Sequence, residues 1–230
     1  MRMESMEQKT FALKGNIIYT KERTRFEVME QGWLVCEEGR VRDVYSVLPE
    51  ELKGIPVEDM GDRLIIPGLT DLHIHAPQYT FRSLGMDMEL LEWLETNTFP
   101  EEAKYKDAEY AQKAYGMFAE QLKKSATVRA CIFGTIHNEA TLILMDLLEE
   151  AGLHAMVGKV NMDRNSPDYL CEPSAEASAQ ATREWLKAVA DRKYKHTRPI
   201  LTPRFTPSCT DELMELLKEI QIGRASCRER

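Results

Sequence analysis

The chain has 230 residues, of which 43% are hydrophobic, and a formal net charge of −8 at neutral pH. This length can bury a sizeable core, in one large domain or in one domain with a small satellite. The acidic balance argues against a surface for nucleic acid or for an anionic membrane, and no apolar run reaches the roughly 20 residues of a membrane helix. The N-terminal segment MRMESMEQKT is polar, without the apolar region of a secretory signal. Five cysteines without a CxxC pair favour reduced thiols in the cytoplasm.

Residues 10 to 66 have the pattern of a small antiparallel sheet. Apolar and alternating runs predict strands at 11–19, 26–29, 32–36 and 41–45. The segment EEGR lies between the last two strands, and its glycine can adopt the positive φ of a tight hairpin turn. The sequence does not fix the register of this sheet.

From residue 64 onwards, strands and helices alternate. The pattern predicts strands at 64–75, 128–133, 154–160 and 199–205, and helices at 107–124, 139–151, 174–192 and 211–220. Asn138 is a suitable N-cap and Gly152 a suitable stop for the second helix, while Ser208 and Asp211 resemble a capping box for the fourth. Strands separated by helices imply a parallel sheet. About four β/α units are half of a closed (β/α)₈ barrel, but a doubly wound open sheet has the same pattern.

The most informative pattern is the run PGLTDLHIH, which ends on two histidines. Because residues i and i+2 of a strand point to the same face, the imidazoles of His73 and His75 can converge on one metal ion. Neutral imidazole nitrogen suits zinc or iron. Two surface histidines on a loop are the alternative interpretation, and a metal site needs at least one further protein ligand. The pattern favours a metal-dependent hydrolase.

Other candidate site residues are less specific. His137 follows a strand end and could be a third ligand, although a position at the rim or in the core fits its surroundings better. Arg204 ends an apolar strand beside Phe205. Its guanidinium could bind a carboxylate, phosphate or carbonyl oxygen, and the ring could stack on a flat ligand. Pairing of Arg204 with a carboxylate of the protein explains the pattern equally well. Gln78 offers one donor and one acceptor group, which suits the edge of a purine or pyrimidine.

Four segments together resemble a known family. PGLTDLHIHAPQY resembles the first metal motif of the amidohydrolase superfamily, in the form found in guanine deaminases. The segments LLEWLETNTFPEEAKY, VGKVNMDRNSPDYL and ILTPRFTPSC agree with the same family in order and spacing. The resemblance implies an α/β fold, an incomplete (β/α)₈ TIM-type barrel preceded by a small N-terminal β-sandwich portion. We therefore expect the sandwich portion at 1–66, the first half of the barrel at 67–221, and an unrelated tail at 222–230.

The resemblance also implies a function. It implies hydrolysis of guanine to xanthine and ammonia, in purine catabolism or salvage, by a cytoplasmic homodimer with one Zn²⁺ per subunit, iron being possible. His73 and His75 match the first two zinc ligands of the family. Gln78 matches a guanine-contacting position, Arg204 the arginine that contacts the purine, and Phe205 the neighbouring aromatic position. In the family, zinc activates a water molecule for attack on the amino-bearing carbon. The expected partner is a small molecule, neither nucleic acid nor membrane.

The family's remaining zinc ligands and its catalytic acids are expected beyond residue 220, so no catalytic residue is expected in this chain. The last nine residues, IGRASCRER, resemble nothing in the family. We expect them to be the translation of a sequencing adapter or another assembly artefact, with a natural polar tail as the alternative. A half barrel would expose a strand edge and an apolar interior, so the 230-residue chain is expected to be inactive and poorly soluble.

Two other functional hypotheses remain open. One is another aminohydrolase of the superfamily that acts on a related purine, a pyrimidine or a triazine. The matches at Gln78 and Arg204 favour guanine over these substrates. The other is a non-catalytic truncated chain that binds a partner subunit, or nothing.

Overall fold

The computed structural model describes residues 10–225, with the backbone alone for 222–225. These residues form two compact units, one ending at Pro67 and the other beginning at Gly68. The predicted polar N-terminus and residues 226–230 of the predicted tail lie outside the described range. Within that range, no helix combines the length and the apolar character needed to cross a bilayer.

The first unit is a single four-stranded sheet. Its strands are β1 (Thr10–Glu22), β2 (Arg25–Glu37), β3 (Arg40–Tyr45) and β4 (Val57–Ile65). They are arranged in the order β3-β2-β1-β4, with β1 antiparallel to β2, β2 antiparallel to β3, and β4 parallel to β1. Ala12, Val35 and Leu52 form its small core. The sandwich remains a prediction, because the described residues of this unit contribute one sheet.

Two strand predictions in this unit needed correction. The segments 26–29 and 32–36 are parts of β2, and the residues between them form a bulge in which Gln31 has a φ of 48°. β4 was not predicted, because its sequence VEDMGDRLI is mostly charged and polar. The predicted hairpin turn is confirmed, since Glu38 and Gly39 have φ values of 51° and 74°. Positive φ at both central residues is what a type I′ hairpin turn requires.

The second unit contains a parallel sheet and helices. Its strands are β5 (Leu69–His75), β6 (Thr127–Phe133), β7 (His154–Gly158), β8 (Val160–Asn161), β9 (Arg198–Pro199) and β10 (Thr202–Pro203). β5, β6, β7 and β9 form one parallel sheet in chain order, and β8 pairs in parallel with β10. A doubly wound sheet reverses its strand order at a switch point, whereas a barrel adds strands sequentially. The sequential order therefore favours the incomplete barrel.

Helices connect these strands. They are α1 (Leu90–Trp93), α2 (Phe99–Lys104), α3 (Ala108–Lys123), α4 (Asn138–Glu150), α5 (Ala175–Arg192) and α6 (Asp211–Ala225). A π-helical turn at Leu94–Thr98 joins α1 to α2, and short 3₁₀ helices lie at Ala76–Phe81, Asp168–Leu170 and Thr206–Ser208. Three of the four longer predicted helices are confirmed within one residue at each end, and α6 begins as predicted but continues to Ala225, beyond its predicted end at 220.

The two faces of the parallel sheet differ in burial. Ala130, Ile132 and Val157 are at most 5% exposed and lie in the same core cluster as side chains of α3, α4, α5 and α6. Met156, which alternates with the buried Ala155 and Val157 along β7, is 52% exposed. Successive residues of a strand point to opposite faces, so the second face of the sheet is open at Met156 within the described residues.

Helix caps explain two further differences from the sequence prediction. Asn138 is the first residue of α4 rather than its cap, and its side chain donates to the carbonyl of Ala181 at 2.9 Å. The predicted capping box at the start of α6 is wrong, because the Ser208 hydroxyl donates to the Phe205 carbonyl at 3.1 Å. Thr210 accepts the helix N–H instead, from Leu213 at 3.1 Å. In both places several adjacent residues could cap, and tertiary contacts decide between them.

Glu149 ties the end of α4 to the segment that precedes β9. Its carboxylate accepts backbone N–H groups of Lys195, His196 and Thr197 at 2.7, 2.9 and 2.9 Å. Partial burial alone would raise the pKa of Glu149, but these hydrogen bonds outweigh it and lower the pKa to about 2.

We expect Glu149→Gln to lower the free energy of unfolding by about 1–2 kcal/mol at neutral pH, because an amide accepts the three N–H groups less strongly. A carboxyl group with a lowered folded-state pKa stabilises the fold above its unfolded pKa, and this contribution is lost as the pH falls through the folded value. The difference between the variant and the parent should therefore shrink between about pH 4.5 and pH 2. Urea unfolding at several pH values measures it, and a difference that does not change over this range would contradict the assignment.

Candidate active site

One cavity of about 670 Å³ opens at the C-terminal end of β5 in the second unit. The five site residues that the family resemblance implies all line it: His73, His75, Gln78, Arg204 and Phe205. Its other lining residues include Trp93, Leu94 and Phe118. Catalytic residues of a barrel lie at the C-terminal ends of its strands, so the cavity has the position expected of an active site.

The two histidines lie side by side on β5. Their ring centroids are 5.1 Å apart, and each ring packs against Phe133 of β6, at 4.8 Å for His73 and 4.6 Å for His75. Burial lowers the pKa of His75 to about 3, and the neighbouring Arg204 and His73 contribute in the same direction. His75 is therefore neutral at physiological pH, which is the form that binds a metal ion.

These histidines fit part of a metal site. The buried Nδ1 of His75 has no hydrogen-bond partner among the described residues, so a metal ion could satisfy it. In the same part of the chain, however, no group of three or more His, Cys, Asp or Glu side chains is arranged to hold a metal ion. The two imidazoles could supply at most two ligands of such a site, and no catalytic step through a metal follows from the described residues alone.

Arg204 is held by a carboxylate that the sequence analysis did not identify. Its two terminal nitrogens donate to the two carboxylate oxygens of Glu102, one of them at 2.9 Å, and the side chains are only 4% and 1% exposed. The guanidinium carbon lies 5.5 Å from the centre of the Phe99 ring. The two interpretations of Arg204 are therefore compatible, because the residue both pairs with a buried carboxylate and lines the cavity.

Gln78 lies close to Glu102 and lowers the pKa of that carboxyl. Burial raises the pKa of Glu102, while the charge and hydrogen bonds of Arg204 and the hydrogen bond of Gln78 oppose this increase. The spacing of aromatic residues around Glu102 in the sequence is a signal that could have predicted its burial. Glu102 lies three residues after Phe99 and three before Tyr105, and both aromatic side chains are buried.

Aromatic and apolar side chains form the rest of the wall. Phe205 is 41% exposed, so part of its ring is available to a flat ligand. Trp93 lines the cavity, and its indole N–H donates to the Leu84 carbonyl at 3.0 Å. The neighbouring Leu90 and Leu91 are 65% and 70% exposed.

The remaining histidines lie elsewhere. His137 precedes α4 outside the lining of the cavity, and burial lowers its pKa to about 4, with Lys106 and Lys159 contributing. His137 is half-buried outside the cavity lining. His154 opens β7 at the opposite end of the strand, and its ring centroid lies 5.0 Å from that of His196.

The amidohydrolase family model matches residues 64–222 of this chain. Among curated relatives, guanine deaminase of Dictyostelium discoideum is 36% identical over 89% of the chain, and that of Escherichia coli is 33% identical over 84%. The solved guanine deaminase of C. acetobutylicum with bound guanine superposes with a TM-score of 0.87, at 43% identity over 93% of the chain. A triazine hydrolase of Arthrobacter aurescens, at 15% identity and a TM-score of 0.73, shares the fold alone.

The chain spans about half the length of the relatives that it matches, 49% and 44% of the two curated proteins and 51% of the C. acetobutylicum chain. Over that half, the matches confirm the resemblance to the amidohydrolase superfamily and the mixed α/β fold. The family model covers both the strand with the two histidines and the segment with Arg204. The chain belongs to the amidohydrolase family.

Proposed function

We propose that this chain is the N-terminal part of a zinc-dependent guanine deaminase, which hydrolyses guanine to xanthine and ammonia. One observation carries the proposal. A single cavity brings His73 and His75 together with Gln78, Arg204 and Phe205, although more than 120 residues separate the two ends of this set. The similarity to guanine deaminases, one of them solved with bound guanine, supports the choice of substrate.

Each side chain has a role in this proposal. His73 and His75 hold the metal ion, which when bound supplies Lewis-acid activation of water. Arg204 has only N–H donors, so it binds acceptor atoms of the purine, such as the carbonyl oxygen. Gln78 binds a polar edge, and the half-exposed ring of Phe205 packs on the flat face of the base. The neighbouring apolar wall, which includes Leu94, limits the access of bulk water.

The proposal also covers the compartment, the oligomeric state and the metal of the enzyme. We propose a cytoplasmic homodimer with one zinc ion per subunit, for which iron is the alternative metal. The free state of the four cysteines in the described range, Cys36, Cys131, Cys171 and Cys209, is compatible with a reducing compartment. The proposed division of the chain is a sandwich portion at 1–66, a half barrel at 67–221 and an unrelated tail at 222–230.

We also propose that the 230-residue chain alone is inactive and poorly soluble. The two histidines need further metal ligands, which the described residues do not supply. Exposed apolar side chains on the strands of the sheet, such as Leu72 and Met156, favour association over solubility.

A test begins by sequencing the source DNA beyond the codon for Ile222. The frame that continues from codon 221 is then expressed beside the 230-residue chain, and ammonia release is measured with guanine, adenine, cytosine and a triazine. We expect guanine turnover by the longer protein only. Preference for another substrate would replace guanine by that substrate class. A genuine stop after Arg230 would contradict an encoded enzyme, and guanine turnover by the 230-residue chain above a metal-free control would contradict its inactivity.

A further inference from the structure

Glu102 is unusual among the carboxylates of the described residues that form ion pairs, because it is buried completely and lies behind the wall of the cavity. Its residue exposure is 0%, and both of its oxygens accept from Arg204, which lies 102 residues further along the chain. A carboxylate that accepts two N–H groups with two oxygens is ionised, and such a fork fixes the plane of the guanidinium as well as its position.

The pairing determines which donors Arg204 can offer to a ligand. A guanidinium carries five N–H groups, and the fork with Glu102 uses two of them, one on each terminal nitrogen. The other three remain for other acceptors, in directions that the planar group cannot change once the fork is formed. The Phe99 ring, 5.5 Å from the guanidinium carbon, restricts the group further.

Gln78 lies beside the same carboxylate and lowers its pKa. An ionised carboxylate only accepts hydrogen bonds, so it favours the orientation in which the amide NH₂ group of Gln78 faces it. In that orientation the carbonyl oxygen of Gln78 is an acceptor for an N–H of the ligand. Guanine presents both a carbonyl oxygen and N–H groups, so a donor from Arg204 and an acceptor from Gln78 complement its edge.

We infer that Glu102 is a positioning residue for substrate recognition, whose buried carboxylate orients Arg204 and Gln78 together at the wall of the cavity. The inference rests on the proposed function for the identity of the ligand, but the arrangement of the three side chains does not depend on it. Glu102 itself is not in the lining of the cavity, so it acts through its two partners.

The test compares Glu102→Gln with Glu101→Gln in the complete enzyme. Glu101 is the adjacent residue on α2, and its partners are Thr80, Lys104 and Tyr110 rather than Arg204. Calorimetry gives the Kd of guanine for the metal-free protein, and steady-state kinetics give KM and kcat for the zinc-loaded one. We expect E102Q to raise Kd and KM about 10- to 100-fold, with a smaller change in kcat and unchanged zinc content, while E101Q stays within about threefold of the parent.

Glu102→Asp provides a second variant, because it keeps the charge and should recover part of the affinity, even if E102Q folds poorly. Guanine binding by E102Q within threefold of the parent, or an equal loss in E101Q, would overturn the inference. If the parent enzyme neither binds nor converts guanine, the proposed function fails by itself. The positioning role is then decided by a crystal structure of E102Q or E102D, in which we expect a displaced Arg204 guanidinium. An unmoved guanidinium would overturn it.

Discussion

Replacing both His73 and His75 by alanine is expected to remove the zinc ion from the complete enzyme and to lower guanine turnover roughly a thousand-fold or more. Both imidazoles face one cavity, with ring centroids 5.1 Å apart, and His75 is held neutral by its surroundings. A tight zinc site needs three or four protein ligands, so the loss of two ligands leaves too few bonds to hold the metal ion. The metal content of the purified variant, measured by mass spectrometry, gives a result that does not depend on activity.

His154→Ala is the matched control, since His154 begins β7 at the far end of the sheet from the cavity. It should retain zinc and turnover. His137→Ala tests the remaining candidate ligand, and its half-buried position outside the cavity predicts a loss of stability rather than of metal. Full zinc occupancy in the double variant of His73 and His75 would show that these residues are not the ligands, whatever its activity.

The order of strands and helices in the second unit could be predicted from the sequence because residues at the helix starts give strong local signals. Asp107 accepts from the N–H of Glu109 at 2.9 Å, and Ser174 accepts from that of Ala177 at 3.1 Å, so the predicted starts of α3 and α5 coincide with real caps. The predicted strand at 199–205 is instead two two-residue strands, β9 and β10, which pair with different partners. No local signal specifies where a strand changes partner.

For the site as well, local patterns could be predicted from the sequence and pairs of distant residues could not. Two histidines at positions i and i+2 are a local pattern, and the sequence was sufficient to place them on one face. Glu102 was missed because its meaning comes from Arg204, 102 residues away, and a run of two glutamates usually reads as a solvated face. Glu101 pairs with Lys104 three residues later in the same helix, whereas only the packing of distant elements shows that Glu102 binds Arg204.

Arg204→Met is expected to lower the free energy of unfolding by about 3–5 kcal/mol, which is the usual cost of leaving one partner of a buried ion pair unpaired. Both side chains are almost fully buried, so water cannot replace the lost partner of Glu102. The double variant R204M/E102L should recover most of this loss, because two apolar side chains of similar size need no partner. Guanine affinity should stay low in both variants, since neither has the guanidinium.

The pH dependence separates this explanation from a simple packing defect. In the R204M variant, burial still raises the pKa of Glu102, but the opposing charge of Arg204 is gone. The Glu102 carboxyl therefore binds a proton more tightly in the folded variant than in the unfolded chain. The stability of R204M should therefore increase relative to the parent as the pH falls towards 5, because the protonated carboxyl no longer buries a charge. Thermal unfolding of the parent, R204M and R204M/E102L at pH 5 and pH 8 measures this. Equal destabilisation of R204M at both pH values, or no recovery in the double variant, would mean that Glu102 is not the buried charge that Arg204 neutralises.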